Sequence, residues 1–255
     1  MKSHHALRGI AAAAIALWTL QTAAPALALS ERDKTQVEQI VRDYLRNNPQ
    51  VLEEMITALN AQRVQQAAAD AEKAIAENKD IIFADNGLVA GNPQGDVTLV
   101  EFFDYRCGYC RLAQPNIVKL LEEDPNIRIV FKEYPVLGPE SITASRAAVA
   151  SAKQGKYVEF HMALMGLEEP LNDDVVYRVA GEVGLDVARL KEDMKSEDID
   201  AMLAENQKLA ETLGIGGTPN FIIGSHLLQG LVTYETLTET VEKERKANTV
   251  KPVEG

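Results

Sequence analysis

Val97-Thr98-Leu99-Val100-Glu101-Phe102-Phe103-Asp104-Tyr105-Arg106-Cys107-Gly108-Tyr109-Cys110 decides the reading of this chain. Its first seven residues are β-branched, aliphatic or aromatic except for Glu101, the composition and length of a buried strand. Cys107 and Cys110 are the only cysteines in the sequence. Two residues between cysteines in the first turn of a helix bring the sulfurs near enough to close a small disulfide ring that another thiol can reopen. A structural staple is a poor account of the pair, because the entropic gain from a cross-link grows with loop size and this loop is minimal. Zinc fits no better. A structural zinc site takes four ligands, and beyond residue 28 only His161 and His226 join the two thiols, far apart and read as surface or packing residues.

Lys2 and Arg8 precede an apolar stretch at 10–20 and a small-residue Ala26-Leu27-Ala28 site, so residues 1–28 read as a secretory signal peptide cleaved after Ala28. The apolar core is shorter than the roughly 20 residues that a bilayer span needs. Removing Lys2 and Arg8 from the 26 basic residues leaves 24 against 38 acidic ones, a net charge of −14. Nucleic-acid partners are disfavoured, since no basic patch is available to displace counterions from phosphates. Export to the periplasm places the thiols in an oxidising compartment.

From Ser30 to Asn78 there is no glycine, and Val37, Ile40, Val41, Tyr44 and Leu45 recur at helical spacing. Asn48 is placed to cap a second helix whose first turn takes Pro49. That helix carries Val51, Leu52, Met55, Ile56 and Leu59 on one stripe, which must bury itself against something. A segment of this size has no core of its own, so residues 29–79 are expected to self-associate, the alternative being a helical hairpin folded back on the catalytic domain of the same chain. Ile81-Ile82-Phe83 reads as a short strand, and 87–95 as a turn-rich connection. Ile127-Arg128-Ile129-Val130-Phe131 is a second good strand, after which 139–213 is helical throughout. Gly216-Gly217-Thr218-Pro219-Asn220 leads into a hairpin made by Phe221-Ile222-Ile223 and His226-Leu227-Leu228. Thr233 can cap a closing helix, and the Lys/Glu-rich tail from Lys243 is expected to fray.

Taken together, VEFFDYRCGYC, the helical block and GTPNFIIG resemble the DsbA family over about residues 81–247. The resemblance implies an α/β thioredoxin fold, over 80–255, with an all-helical insertion at about 139–213. The segment before it, with its NNPQVLEEM stretch, is similar to the N-terminal region of the ScsC proteins, relatives that oligomerise through it. In such a fold Cys107, at a helix N-terminus with unpaired N–H groups and the positive dipole end, is favoured as the attacking thiolate, and Cys110 resolves the mixed disulfide. Thr218-Pro219 is expected to be a cis peptide facing the cysteines and offering backbone hydrogen bonds to an extended client. Glu101 interrupts an apolar strand, where a carboxylate needs a partner or a task. The resemblance implies that it lies beneath the cysteines and moves the proton of Cys110, with Lys132 as a candidate counter-charge.

Gly108-Tyr109 and the threonine before the proline resemble the DsbC-type isomerases, in place of the Pro-His dipeptide of strongly oxidising DsbA proteins. The resemblance therefore implies a less oxidising thiol-disulfide oxidoreductase, an isomerase or reductase that needs no cofactor. Its partners would be unfolded or misdisulfided exported proteins, further copies of itself, and a membrane reductase of the DsbD or ScsB type. Two alternatives stay open: a monomeric dithiol oxidase recycled by a quinone-linked membrane protein, and Cu(I) sequestration, since soft thiolates suit that ion.

Overall fold

The computed structural model describes residues 30–250, so the leader expected at 1–28 lies outside the described residues. Contacts divide the chain into a unit ending at Leu59 and a unit beginning at Asn60. The first holds α1 (Glu31–Asn47) and the start of α2 (Pro49–Ile82). A capping box opens α1: the Ser30 hydroxyl accepts the Asp33 N–H, and the Asp33 carboxylate accepts the Ser30 N–H, each at 3.2 Å. The side chain of Asn48 turns back to α1, its amide donating to the Tyr44 carbonyl at 2.8 Å. Toward α2 its backbone carbonyl accepts the Val51 N–H, and its side-chain oxygen accepts the Gln50 side-chain amide at 3.4 Å without capping a backbone N–H.

The second unit carries a five-stranded sheet, β1 (Val89–Gly91), β2 (Val97–Phe103), β3 (Ile127–Glu133), β4 (Asn220–Ile223) and β5 (His226–Gln229), in the order β1-β3-β2-β4-β5. The central pair β2 and β3 is parallel and the other pairs are antiparallel. Parallel neighbours need a crossover, which α3 (Gly108–Glu123) supplies. Between β3 and β4 lie α4 (Pro139–Ser151), α5 (Tyr157–Met165), α6 (Asp173–Glu182), α7 (Val187–Asp193) and α8 (Glu197–Thr212), and α9 (Tyr234–Val250) closes the chain. This is a thioredoxin fold with a helical insertion. Ala144, Ala147, Ala148 and Ala150 are fully buried on α4, whose small side chains let α5, α6, α7 and α8 all pack against it.

Strand alternation sorts the core into two layers. Leu99, Phe103, Ile129 and Phe131 face α3 and the insertion, while Val100, Phe102, Val130 and Ile222 face Ile75 and Ile82 of α2 together with Leu209 and Leu213 around the end of α8. The latter layer explains a difference from expectation. Ile81 and Ile82 form no strand; α2 runs through them unbroken by glycine or proline, because Ile82 completes the second layer. The outer strand is instead β1, within the stretch read as a plain connection. Gly91 is required there, at φ +77°, since a Cβ would meet the Ile127 carbonyl oxygen at 2.5 Å.

From Lys243 to Val250 the expected frayed tail is helical, and its remainder, 251–255, lies outside the described residues. Arg245 clamps two aspartates on the far side of the chain, bidentate to Asp96 at 2.7 Å and reaching Asp124 at 2.9 Å, and α9 continues to Val250.

Candidate active site

β2 ends against the first turn of α3, and that junction places the cysteines. Cys107 is the N-cap of α3, with extended backbone angles, and its N–H donates to the Asp104 carbonyl at 3.0 Å. The Cys110 N–H, one of the groups that a helix start leaves without an intrahelical acceptor, points at the Cys107 sulfur at 3.4 Å. Both residues are free thiols. Cys107 keeps 6% of its surface exposed and Cys110 none, so one sulfur can meet a client while the other is sealed.

The Thr218-Pro219 peptide is cis. The Cys107 thiol donates to the Thr218 carbonyl at 3.3 Å, which brings together two sequence features 111 positions apart. The Pro219 carbonyl accepts the Gly230 N–H and the Asn220 side chain donates to the Gly217 carbonyl, so the loop is fixed from both ends. Gly108 leaves open space where a Cβ would stand, and Tyr109 is 63% exposed beside the thiol.

Glu101 is buried in the β2 layer that faces α3, and no side chain or backbone group hydrogen-bonds its carboxyl among the described residues. Burial first, and then the neighbouring Glu133, push its pKa up to about 8. The Cys110 thiol is pushed well above the ordinary thiol range, mainly by burial and further by Glu101, which lies close enough to act on it electrostatically. The expected pairing of Glu101 with Lys132 does not occur. Lys132 lies across from Phe102 in the parallel register and therefore on the opposite face, where its ammonium donates to the Ile81 carbonyl at 3.0 Å.

The same register sets Glu133 on the face of Glu101, a neighbour that the linear sequence does not disclose. Its carboxyl accepts hydroxyl bonds from Tyr105 at 2.9 Å, Tyr157 at 3.0 Å and Ser145 at 2.7 Å. Burial pushes Glu133 up to about 8 against the pull of these three donors. His161, read as a packing residue, sits among the rings of Phe103, Tyr105, Phe131 and Tyr157, with Nδ1 at 3.1 Å from the Tyr105 hydroxyl. Burial lowers its pKa to about 3, so the ring is neutral. His226 lies on β5, away from this cluster.

With this geometry in hand, the family profile described as the DSBA-like thioredoxin domain matches residues 98–242, more than half of the chain. The chain belongs to that family. A second profile, the copper resistance protein ScsC N-terminal domain, matches residues 33–68 of this DSBA-like protein. Among solved structures, a thioredoxin-like oxidoreductase from Silicibacter pomeroyi DSS-3 is 46% identical with a TM-score of 0.65, covering 66% of this chain and 98% of its own. Proteus mirabilis ScsC in a transitional conformation is 28% identical with a TM-score of 0.62, covering 86% of this chain and all of its own. The Na(+)/H(+) antiporter NhaA 3 of Salinispora tropica is 29% identical over 159 residues, which are 62% of this chain and 24% of that relative. The DSBA-like chain thus spans about a quarter of the length of the curated antiporter relatives it matches, and no described helix is long and apolar enough to cross a membrane.

Proposed function

We propose that this DSBA-like protein exchanges disulfides in exported proteins, acting in the periplasm as an isomerase or reductase. The observation that carries the proposal is the asymmetry of the two thiols: Cys107, at a helix start and against the Thr218 carbonyl, keeps a small opening to the surface, while Cys110 is sealed above Glu101. The Cys107 thiolate attacks one sulfur of a client disulfide and expels the other as a thiolate, leaving a mixed disulfide. In the isomerase direction a client thiolate other than the one expelled attacks the client sulfur of that bridge, forming a new client disulfide and freeing Cys107 as a thiolate. In the reductase direction Cys110 loses its proton to Glu101 and attacks Cys107, releasing the client as a dithiol and leaving a Cys107-Cys110 disulfide that a membrane reductase returns to the dithiol. Thr218 and Pro219 hold the client backbone, and Gly108 and Tyr109 tune the couple and present an aromatic face.

The domain organisation that accompanies this reading is a leader to residue 28, a helical oligomerisation segment at 29–79 and a catalytic domain at 80–255. Val37, Ile40, Val41 and Tyr44 on α1 and Leu52, Met55, Ile56 and Leu59 on α2 are 45% to 62% exposed, far too much apolar surface for helices that stand alone. A second copy of the same segment is the occupant we assign to it. Oligomers would hold a client trapped on one thiol near the next, where effective concentration replaces diffusion.

Reactivation of scrambled ribonuclease, set beside oxidation of reduced ribonuclease, tests the reading. The full chain is expected to reactivate the scrambled enzyme. A variant lacking 30–59 is expected to sediment as a monomer and lose about tenfold or more of that activity while still reducing a simple disulfide. A protein that only oxidises the reduced enzyme, and does so equally well after truncation, is the monomeric oxidase instead.

A further inference from the structure

Asp104, the residue that follows β2, is fully buried, and its carboxylate meets no lysine or arginine side chain among the described residues. Four donors hold it. One oxygen accepts the Arg106 N–H and the Ser141 hydroxyl, both at 2.7 Å. The other accepts the N–H groups of Val136 at 2.8 Å and Leu137 at 3.0 Å. Through its own carbonyl the same residue receives the Cys107 N–H. One amino acid therefore ties the turn that carries the attacking thiol to the loop between β3 and α4. Arg106 doubles the tie, its guanidinium donating to the Leu137 carbonyl and pairing with Glu140 at 2.9 Å.

Three of the four donors are backbone groups, so what the carboxylate fixes is the path of the chain. Without an acceptor the adjacent N–H groups of Val136 and Leu137 would be left unsatisfied and the loop would move to find one. Those two residues are apolar and 44% and 45% exposed, an arrangement that does nothing for the core. Ile142, equally exposed in the first turn of α4, extends the apolar surface.

We infer that Asp104 is a positioning residue whose side chain holds Val136 and Leu137 as an apolar lip beside Cys107, and that this lip takes the apolar side chains flanking a client's reactive disulfide. The inference rests on the disulfide-exchange reading and adds to it a determinant of client affinity. A carboxylate suits the task because each of its oxygens accepts two bonds, which a neutral amide cannot do on its nitrogen side.

The test measures kcat and KM of the full chain for two disulfides: a peptide with apolar residues on both sides of its bridge, and a small aromatic disulfide with no flanking chain. Asp104→Asn is expected to raise KM for the peptide about tenfold with kcat changed by less than about twofold, and to leave the small disulfide unaffected. Ser141→Ala, which removes one donor and strands no N–H, is expected to stay within about twofold of the parent. An unchanged peptide KM in folded Asp104→Asn overturns the inference, as does an equal slowing with the small disulfide, which would put the effect on the thiol. Leu137→Ser, on the exposed surface, is expected to raise the peptide KM as well, and an unchanged value there overturns the inference even if Asp104→Asn does not fold. Absence of exchange with either disulfide in the parent protein would remove the disulfide-exchange reading itself, an outcome distinct from all of these.

Discussion

Cys110→Ser is expected to accumulate a covalent complex with its client and to lose about a thousandfold or more in reductive turnover, the scale on which removing one member of a concerted catalytic set acts. The remaining Cys107 thiol still attacks and forms the mixed disulfide, but no internal thiol follows to release the client as a dithiol. Non-reducing electrophoresis and mass spectrometry of the trapped species check this directly. Glu101→Gln tests the same step without removing a sulfur. Cys110 is held protonated by burial and by the adjacent carboxyl, so its release chemistry needs a nearby base, and Glu101 with a pKa of about 8 is suited to accept the proton. The release rate should climb with pH toward about 8 in the parent protein, following ionisation of Glu101. In the glutamine variant that inflection should vanish and release should slow about a hundredfold, the usual worth of a positioned base. Identical pH profiles for the two proteins would retire Glu101 from the mechanism, and a freely turning-over Cys110→Ser would retire the reductive step itself.

Stability should decline as pH rises above about 5, in contrast to an ordinary acidic protein. Glu101 and Glu133 both have folded-state pKa values raised from 4.5 to about 8, so the native state keeps protons that the unfolded chain releases. Their contribution is complete below 4.5 and is lost as pH climbs through about 8. His161 works the other way. Its pKa is lowered from 6.5 to about 3, so the unfolded chain takes up a proton that the native state refuses, and its contribution, complete above 6.5, is lost as pH falls toward 3. Above about pH 4.5 the two carboxyls outweigh the one histidine, so the opposing slopes put the maximum near pH 4.5. From about pH 5 to about pH 8 the loss is on the order of 3 kcal/mol, limited by the mutual repulsion of the two carboxyls if both ionise. Urea midpoints across this range measure it. Glu133→Gln, which keeps a carbonyl oxygen for the tyrosine hydroxyls, should flatten the alkaline limb, and a parent protein equally stable at both ends would show that the buried carboxyls carry no such linkage.

The three buried ionisable groups that create this behaviour differ in how visible they are before folding. Glu101 stands out because it interrupts an apolar strand, and an exception within a period-two pattern is a local signal. Glu133 gives no such signal. It follows Lys132 at the end of another strand, and a Lys-Glu pair there reads as the exposed edge of a sheet. Only the parallel register of β2 and β3 decides that Lys132 faces α2 and Glu133 lies on the face of Glu101. The choice matters because a one-residue change of register would exchange those faces, setting Lys132 near Glu101 as the sequence invites one to imagine. His161 is similar: its helix is legible, but its place among four aromatic rings comes from the packing of the insertion on the sheet.

By itself, then, the sequence determined whatever depends on neighbours along the chain: the strand that ends at Phe103, the dithiol at the start of a helix, the helical block from Pro139, the hairpin after Thr218-Pro219 and the apolar stripe on α1 and α2. Each is set by spacing, by a cap or by a glycine-free run, which are short-range properties of the backbone. The tertiary structure alone decided that 81–82 complete a helix and not a strand, that β1 forms at Val89, that Arg245 pins the last helix to Asp96 and Asp124, and that Asp104 grips a loop more than thirty residues further on. Those outcomes turn on which buried polar groups find partners and which apolar side chains fill the remaining space. Both are contests among residues distant in sequence, resolved only when the sheet register brings them together.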